Sequence, residues 1–349
     1  LFLKKHSIIK IIGMNNKKNK VAVVILNYNG LNNTIECLKS LKEMPDSDYR
    51  VIVVDNGSDK NEANVLKEKY KNFITLIRCE ENLGFAGGNN KGIQLALADK
   101  DCQYIFCFNN DAIVKADSLQ ELVQCAEKED FKKFGSFQPK MLWYYHRNLI
   151  DAAGLWYSKN GFGFSRGGFE AAEKYDRAVE IFGCCGGACL YRADAIRDIM
   201  INGDFFDRDF FAYYEDFDVA FRLQWAGWKS CYCPSSIIYH KRGGTAGVRS
   251  KFTAYYGTRN QIWNLVKNIP LQSALKNAFF ILLAQVAQVA INILKGRFDI
   301  LGEIFRGKRD GWLKLAKILK KRKAIKKRVA PKEIEKWFIW KWRAKSPKF

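Results

Sequence analysis

Three apolar runs, Val21-Ala22-Val23-Val24-Ile25-Leu26, Val51-Ile52-Val53-Val54 and Tyr104-Ile105-Phe106-Cys107-Phe108, each stop abruptly on polar residues. They show no alternation of apolar and polar positions, which is the pattern of strands buried on both faces. Helical spacing lies between them. It runs through Leu31, Ile35, Leu38 and Leu41, through a charged stretch over roughly 60–70, and through a segment reaching about Ala98. With a further strand near 73–77, the order β-α-β-α-β-α-β predicts an α/β fold built on a doubly wound, mostly parallel sheet.

The clusters that end the runs are Asn27-Tyr28-Asn29, Asp55-Asn56-Gly57-Ser58 and Asn109-Asn110-Asp111. In open α/β sheets, ligands sit outside the carboxyl ends of the strands. Turn chemistry explains any one such cluster, but not three at consecutive strand ends. Asp55 can accept hydrogen bonds from a nucleobase edge or a ribose, and Tyr28 can stack on a base. Asp111 can hold a hard divalent cation of the kind that carries a substrate's phosphates. The glycine-rich stretch Asn82-Leu83-Gly84-Phe85-Ala86-Gly87-Gly88-Asn89-Asn90 lacks both a dinucleotide fingerprint and a P-loop. Its glycines still permit close backbone approach, and the helix it opens can favour an anion.

Beyond about residue 116 the regularity falls. Tyr213-Tyr214-Glu215-Asp216-Phe217-Asp218 places three carboxylates among aromatics at the start of a helix expected over 215–226. Acids favour a helix N-terminus, and Asp218 pairs with Arg222 at i,i+4. Asp216, between aromatic neighbours, suits a general base, which needs an ionised carboxylate in a partly dry pocket. Gly186-Gly187-Ala188 opens a strand expected over Gly183–Arg192; ligand approach and close packing explain it equally. Short strands are expected at 230–233 and 236–240. His240, ending the second, is either a metal ligand or a satisfied polar residue. From about 252 the chain reads as entirely helical.

Ten cysteines, mostly inside apolar runs and without any Cys-x-x-Cys, read as reduced core residues of a cytoplasmic protein. Met14, followed by a polar stretch, reads as a more natural start than Leu1. The chain has 349 residues, 48% of them hydrophobic, enough for a sizeable core. Its net charge is +22, and residues 295–349 hold 20 Lys and Arg against 5 Asp and Glu, or +15 of it. Nucleic acid, anionic lipid and acidic polymers are the partners such charge permits. An acidic strand-end site argues against nucleic acid.

Together these residues resemble family 2 glycosyltransferases of the inverting GT-A fold, particularly rhamnosyltransferase-like members. The resemblance runs from about Val21 to Asn260. It rests on 23–30, Val-Asp-Asn-Gly-Ser at 54–58, the loop at 82–90, Asn109-Asn110-Asp111, Gly186-Gly187-Ala188-Cys189, Glu215-Asp216-Phe217-Asp218 with Arg222 and Gly227-Trp228, His240, and Tyr255-Tyr256 with Arg259-Asn260. It implies that Asn27 and Asp55 hold the base and ribose of a nucleotide sugar, with Tyr28, Asn29, Asn56 and Ser58 beside them. Asn82, Gly84, Phe85, Asn89, Asn90, Asn109 and Asn110 would lie along the donor. Asp111 would bind Mg²⁺ or Mn²⁺ on the diphosphate, with His240 as a second ligand. Asp216 would be the catalytic base, and Gly187 and Glu215 would line the acceptor side. One departure is Asn109, which stands where the family commonly has the first acid of Asp-x-Asp.

The implied donor is dTDP-rhamnose first and a UDP-sugar second. The implied acceptor is a hydroxyl of a glycan or polyprenyl-linked molecule in polysaccharide or O-antigen-type assembly. A non-catalytic nucleotide-sugar-binding homologue is the alternative. The expected organisation is an extension at 1–20, a GT-A domain at 21–265 (donor half 21–115, acceptor half 116–265) and a basic amphipathic helical region at 266–349. Within that region, 278–294 is apolar with a stripe of Gln285, Gln288, Asn292 and Lys295; it spans a membrane, lies on it or packs on the domain. Trp312, Trp337, Trp340 and Trp342 among Lys and Arg suggest a peripheral or monotopic anchor on the anionic cytoplasmic face of the membrane.

Overall fold

The computed structural model describes residues 10–11, 19–45, 48–242 and 250–342. Met14 and most of the 1–20 extension lie outside them. Elements follow in the order β1 (Lys10–Ile11), β2 (Val21–Asn27), α1 (Leu31–Lys42), β3 (Tyr49–Asp55), α2 (Glu62–Lys69), β4 (Ile74–Arg78), α3 (Gly84–Ala98), β5 (Tyr104–Asn109), β6 (Ala112–Val114) and α4 (Ser118–Glu127). Then come β7 (Phe134–Trp143), β8 (His146–Ala152), β9 (Leu155–Ser158), β10 (Gly163–Ser165), β11 (Val179–Ile181), β12 (Ala188–Arg192), α5 (Ala193–Ile199), α6 (Glu215–Trp225) and β13 (Lys229–His240). The C-terminal part holds α7 (Lys251–Asn268), α8 (Leu271–Lys276), α9 (Ala278–Leu294), α10 (Phe298–Leu313), α11 (Leu315–Lys323), α12 (Pro331–Glu335) and β14 (Phe338–Ile339).

The continuous apolar runs divide between two layers. Val21, Val23 and Ile25 of β2 pack into one core with α1 and α4, whereas Ala22 and Val24 pack on the other face with α3. Burial on both faces therefore needs no polar alternation. The main sheet runs β1-β4-β3-β2-β5-β12-β7-β13-β11, with β6 on β13 and β8 on β7. Pairs β4/β3, β3/β2 and β2/β5 are parallel, as is β7/β13. Antiparallel β12 joins the two parallel blocks by pairing with both β5 and β7. A second, small sheet runs β10-β9-β14.

Two expectations need correction. The strands expected at 230–233 and 236–240 are one strand, β13, with a register shift between Cys233 and Ile237. Pro234 lies in that shift and has no N–H to give the ladder, so a slip there costs little. The C-terminal region is not entirely helical, because β14 adds to β9 in parallel. Phe338 is drawn there by an apolar pocket and stands 5.5 Å from the Tyr157 ring. The cysteines are all free, nine buried and Cys185 half-buried. Cys231 and Cys233, two apart on one strand, share a face and meet Cys125 of α4 in the core.

Helices α10 and α11 dock on α7, and α9 in turn packs on α10. Much of the basic segment is pinned to acids of the preceding domain: Lys317 to Asp209 at 2.7 Å, Lys321 to Asp207, and Lys326 and Arg328 to Asp198. Among the described residues, no helix is long and apolar enough to cross a membrane. In α9 the stripe turns inward: Gln285 donates to Gln261 at 3.0 Å and accepts from Lys308. Phe279, Leu282, Val286 and Ile293 of the same helix are exposed.

The deepest polar contact ties α6 to α7. Lys267, fully buried, lies 2.8 Å from Asp218 and 2.7 Å from Asp207. Arg222 meets Asp218 at 2.8 Å, and Asn268 donates to the same carboxylate at 2.9 Å. Removing one partner of a buried pair leaves an uncompensated charge and costs about 3–5 kcal/mol, whereas exposed pairs contribute about 0–1 kcal/mol. Lys267→Met is therefore expected to lower unfolding free energy by about 3–5 kcal/mol in urea titrations. Lys39→Ala, breaking the exposed 4.0 Å pair with Glu43, is expected to change it by less than about 1 kcal/mol. Equal effects would remove the burial argument.

Candidate active site

Strand register sets the site. Asn27 pairs with Asp55, and Leu26 with Asn109, so the polar ends of β2, β3 and β5 finish at one level of the sheet. Asn27 donates to Asp55 Oδ1 and Glu62 Oε2, both at 2.9 Å, and accepts from Thr34 at 2.6 Å. Ser58 donates to the same Asp55 oxygen at 2.6 Å. Asp55 is fully buried, yet its Oδ2 has no hydrogen-bond partner. An orphan buried acceptor costs about 1–3 kcal/mol, and a donor on a ligand would relieve it.

The surrounding asparagines mostly secure the walls. Asn29 exchanges hydrogen bonds with Asp59, and Asn110 donates to Thr34 at 2.9 Å. Asn56 donates to Asn82 at 2.9 Å and to the Gly84 carbonyl, locking the β3 end to the glycine-rich loop. Asn89 donates to the Phe85 carbonyl. Asn90 both donates to the Phe206 carbonyl and accepts from its N–H, so its amide is engaged at each end. Two glycines of the loop serve packing: a Cβ on Gly88 would stand 2.4 Å from Leu26, and one on Gly84, at φ +72°, 2.5 Å from the Phe211 carbonyl. Tyr28 stays half-buried at the rim.

Beyond Asn109 the chain places Asp111 against the far end of β13. His240 Nε2 lies 3.1 Å from Asp111 Oδ1 and 3.4 Å from Asn109 Nδ2. Its Nδ1 is 2.8 Å from Asp151, which also meets Arg242 at 3.1 Å. Burial alone would lower the His240 pKa, but Asp151 and Asp111 outweigh it and push it up to about 10. Burial alone would raise the Asp151 carboxyl, but His240 and Arg242 hold it below its ordinary value. The donor set fits a divalent cation: a carboxylate oxygen and a ring nitrogen converge, with a carboxylate behind the imidazole to fix its orientation. Binding would release the proton on Nε2. Two protein ligands would leave positions on the cation for substrate phosphates and water. Asn109 supplies an amide, not a charge, beside this pair.

The third part is the start of α6. Asp216 Oδ2 accepts from the Gly186 N–H at 3.2 Å and Oδ1 from the Phe217 N–H at 2.8 Å. Burial pushes its carboxyl up to about 6, and those backbone donors only partly oppose it. Burial and the charge of Asp216 push the Glu215 carboxyl well up; its Oε2 is buried without a partner. The two glycines connect both ends of the site. A Cβ on Gly186 would stand 3.5 Å from both Asp216 Cβ and the Phe85 ring, and one on Gly187 3.6 Å from Asn109 Nδ2 and His240. Gly186 thus lies beside Asp216, and its neighbour Gly187 lies beside His240 and Asn109.

The segment entering α6 is strained, since Phe211, Tyr213 and Tyr214 all have φ of 65–68°. Such backbone persists only where its surroundings impose it. Asn260 of α7 does so: its Nδ2 donates to the carbonyls of Phe210, Ala212 and Tyr213 at 2.7–2.8 Å. Arg259 adds bonds to Asp209 and Phe210, and Asn264 one to Tyr214. The Phe211 carbonyl accepts from Ala86 at 3.0 Å, joining this turn to the glycine-rich loop. Asp151, Arg242, Thr34 and Glu62 had no local sequence signal. Asn260 and Arg259 stood in the recognised pattern without a role.

The strand ends gather a buried acidic acceptor and a carboxylate–imidazole pair, and the start of α6 adds a half-buried carboxylate held by backbone N–H groups. Residues 22–200 match the family described as Glycosyl transferase family 2, and the chain belongs to that family. It is 25% identical over 60% of its length to an N-acetylglucosaminyl-diphospho-decaprenol L-rhamnosyltransferase of Mycobacterium tuberculosis, covering 72% of that protein. It is 30% identical to a poly(ribitol-phosphate) beta-glucosyltransferase of Bacillus spizizenii over 29% of this chain, spanning only 16% of that relative. Its fold matches the crystal structure of GalNAc-T7 with UDP, GalNAc and Mn²⁺ at a TM-score of 0.56 and 13% identity, covering 72% of this chain and 48% of the other. The architecture is GT-A with a C-terminal helical region.

Asn260→Ala would remove the side-chain donor shared by the Phe210, Ala212 and Tyr213 carbonyls, of which Phe210 keeps its bond from Arg259. A loss of about 2–3 kcal/mol in unfolding free energy is expected in chemical denaturation; a loss below about 0.5 kcal/mol would show that the strained turn holds without it.

Proposed function

We propose that this protein is an inverting glycosyltransferase that moves a sugar, rhamnose by preference, from a nucleotide-sugar donor to a hydroxyl of a glycan or lipid-linked acceptor in cell-surface polysaccharide assembly. The observation that carries the proposal is Asp216, a half-buried carboxylate beside Gly186 whose pKa burial pushes up to about 6, while the next residue, Gly187, adjoins His240. The preference for rhamnose and for a lipid-linked acceptor draws on the mycobacterial relative, whose name carries both. The donor would be dTDP-rhamnose or a UDP-sugar. The exposed apolar residues of α9 and the basic, Trp-bearing C-terminal segment support attachment to the cytoplasmic face of a membrane.

Asp55 would accept a hydrogen bond from the base or ribose through its orphan oxygen. Asp111 and His240 would hold Mg²⁺ or Mn²⁺. When bound, the cation supplies positive charge against the negative charge growing on the leaving diphosphate. Asp216 would accept the proton of the acceptor hydroxyl as that oxygen attacks the anomeric carbon from the face opposite the diphosphate. One in-line displacement inverts the centre. Glu215, its carboxyl pushed well up by burial, would line the acceptor side, with Gly187 leaving room beside it.

Transfer requires ionised Asp216, so kcat/KM is expected to rise with pH through about 6 and to level off above. Asp216→Asn is expected to lower transfer by at least about 10³-fold, and unchanged turnover would sink the assignment. Stability moves oppositely. The folded pKa is raised above the ordinary 3.8, so the favourable contribution of protonated Asp216 is complete below about 4 and lost through about 6. Asp216→Asn is therefore expected to melt higher than wild type at pH 8, with the gain vanishing at pH 4.

Donor binding gives a separate check. Thermal stabilisation by a nucleotide sugar is expected to shrink several-fold with EDTA and in Asp111→Ala. Full stabilisation in both would place the diphosphate away from Asp111.

A further inference from the structure

A cavity of about 550 Å³ lies between α7, α9 and α10, beside the β9–β10 turn. That volume suits a sugar with its phosphates. Its lining includes an aromatic wall, Phe162 and Tyr214, and the amides of Gln261 on α7 and of Gln288 and Asn292 on α9. Such a pairing serves a ring with an apolar C–H face and hydroxyl edges. Tyr214 is two residues before Asp216 and donates structure to the same strained turn, so this wall adjoins the start of α6.

The amphipathic order of α9 is reversed. Its amides face inward and its apolar residues outward, the opposite of a helix bathed in water. At the α9–α10 corner, Leu294 is 85% exposed and Phe298 69% exposed, and Arg297 between them reaches the cavity wall. Asp299 also contributes to the lining and suits a hydroxyl, not a phosphate.

Resting on the transfer reading of Asp216, we infer that this cavity receives the polar head of an isoprenyl-diphosphate-linked acceptor. Its sugar lies between the aromatic wall and the α9 amides, its diphosphate meets Arg297, and its hydrocarbon chain runs out over Leu294, Phe298 and the exposed face of α9. The sugar hydroxyl thereby approaches Asp216 from the C-terminal helical side, while the nucleotide occupies the strand ends. The C-terminal helices are then part of the acceptor site as well as a means of attachment.

The test uses the full chain and a farnesyl-diphosphate-linked N-acetylhexosamine in mild detergent, with calorimetric binding measured in the absence of donor. Wild type is expected to bind this probe. Gln288→Leu, Asn292→Leu and Arg297→Ala are each expected to weaken it at least tenfold; the thermal shift given by nucleotide sugars serves as the folding control. In transfer assays the same variants are expected to raise KM for the lipid-linked acceptor at least tenfold with kcat within about threefold. No binding by wild type, or equal binding by all three variants, overturns the cavity assignment. Probe binding that depends on these residues, with no transfer from any nucleotide sugar, supports the cavity and overturns the reading of Asp216 as a transfer base.

Discussion

Lys267 is the contact on which the arrangement turns. It is fully buried between Asp218 of α6 and Asp207 of the preceding loop. Neither carboxylate could be buried as an ion alone, because desolvation would exceed what the remaining partners return. The lysine comes from α7, the first helix of the C-terminal part, so the acidic end of the catalytic domain is completed from outside it. Arg222 adds its own bonds to the Ile199 and Phe205 carbonyls. The helix bearing Asp216 is consequently fixed from two directions before any ligand enters.

That rigidity permits the unusual electrostatics at the front of α6. Three acids fill its first turn, which the macrodipole favours only modestly. Asp218 is neutralised by Lys267 and Arg222, and Asp209 by Lys317 and Lys321. Glu215 and Asp216 receive no cation, and burial pushes both up. Neighbouring carboxylates with different partners are thus set differently: Asp218 is held as an ion by two cations, whereas burial pushes the Glu215 and Asp216 carboxyls up. The strained residues 211–214, pinned by Asn260, bring the uncompensated pair to the cleft.

Much of the fold was legible because its signals are local. Continuous β-branched runs ending on Asn and Asp located β2, β3 and β5, and parallel register did the rest by bringing three polar ends to one level. Asp216 was legible because an acid between two aromatics is poorly explained by helix capping. Asp151 was not, since it sits in an ordinary strand and matters only because β8 lies next to the end of β13. Asn90 has a further engagement that its motif did not signal, since its amide both donates to and accepts from the backbone of Phe206, 116 residues away. The split of β13 was misread for a local reason, as Pro234 looks like a terminator and is accommodated within one bulged strand.

The C-terminal helices were read by composition, and composition gives charge without direction. Lys317, Lys321, Lys326 and Arg328 are tied to Asp198, Asp207 and Asp209, so part of the positive charge is held internally. In α9 most of the polar stripe turns inward, as Gln285 engages Gln261 and Lys308 and Gln288 and Asn292 line the cavity with Tyr214, while Lys295 at its end is exposed. A helix turned this way exposes apolar surface to whatever surrounds it, a cost that water does not return. The arrangement is economical only where the outside is itself apolar. On the proposed reading, membrane attachment and acceptor recognition would be two consequences of one inverted helix, whose outer face would meet hydrocarbon while its inner face would present amides to a sugar.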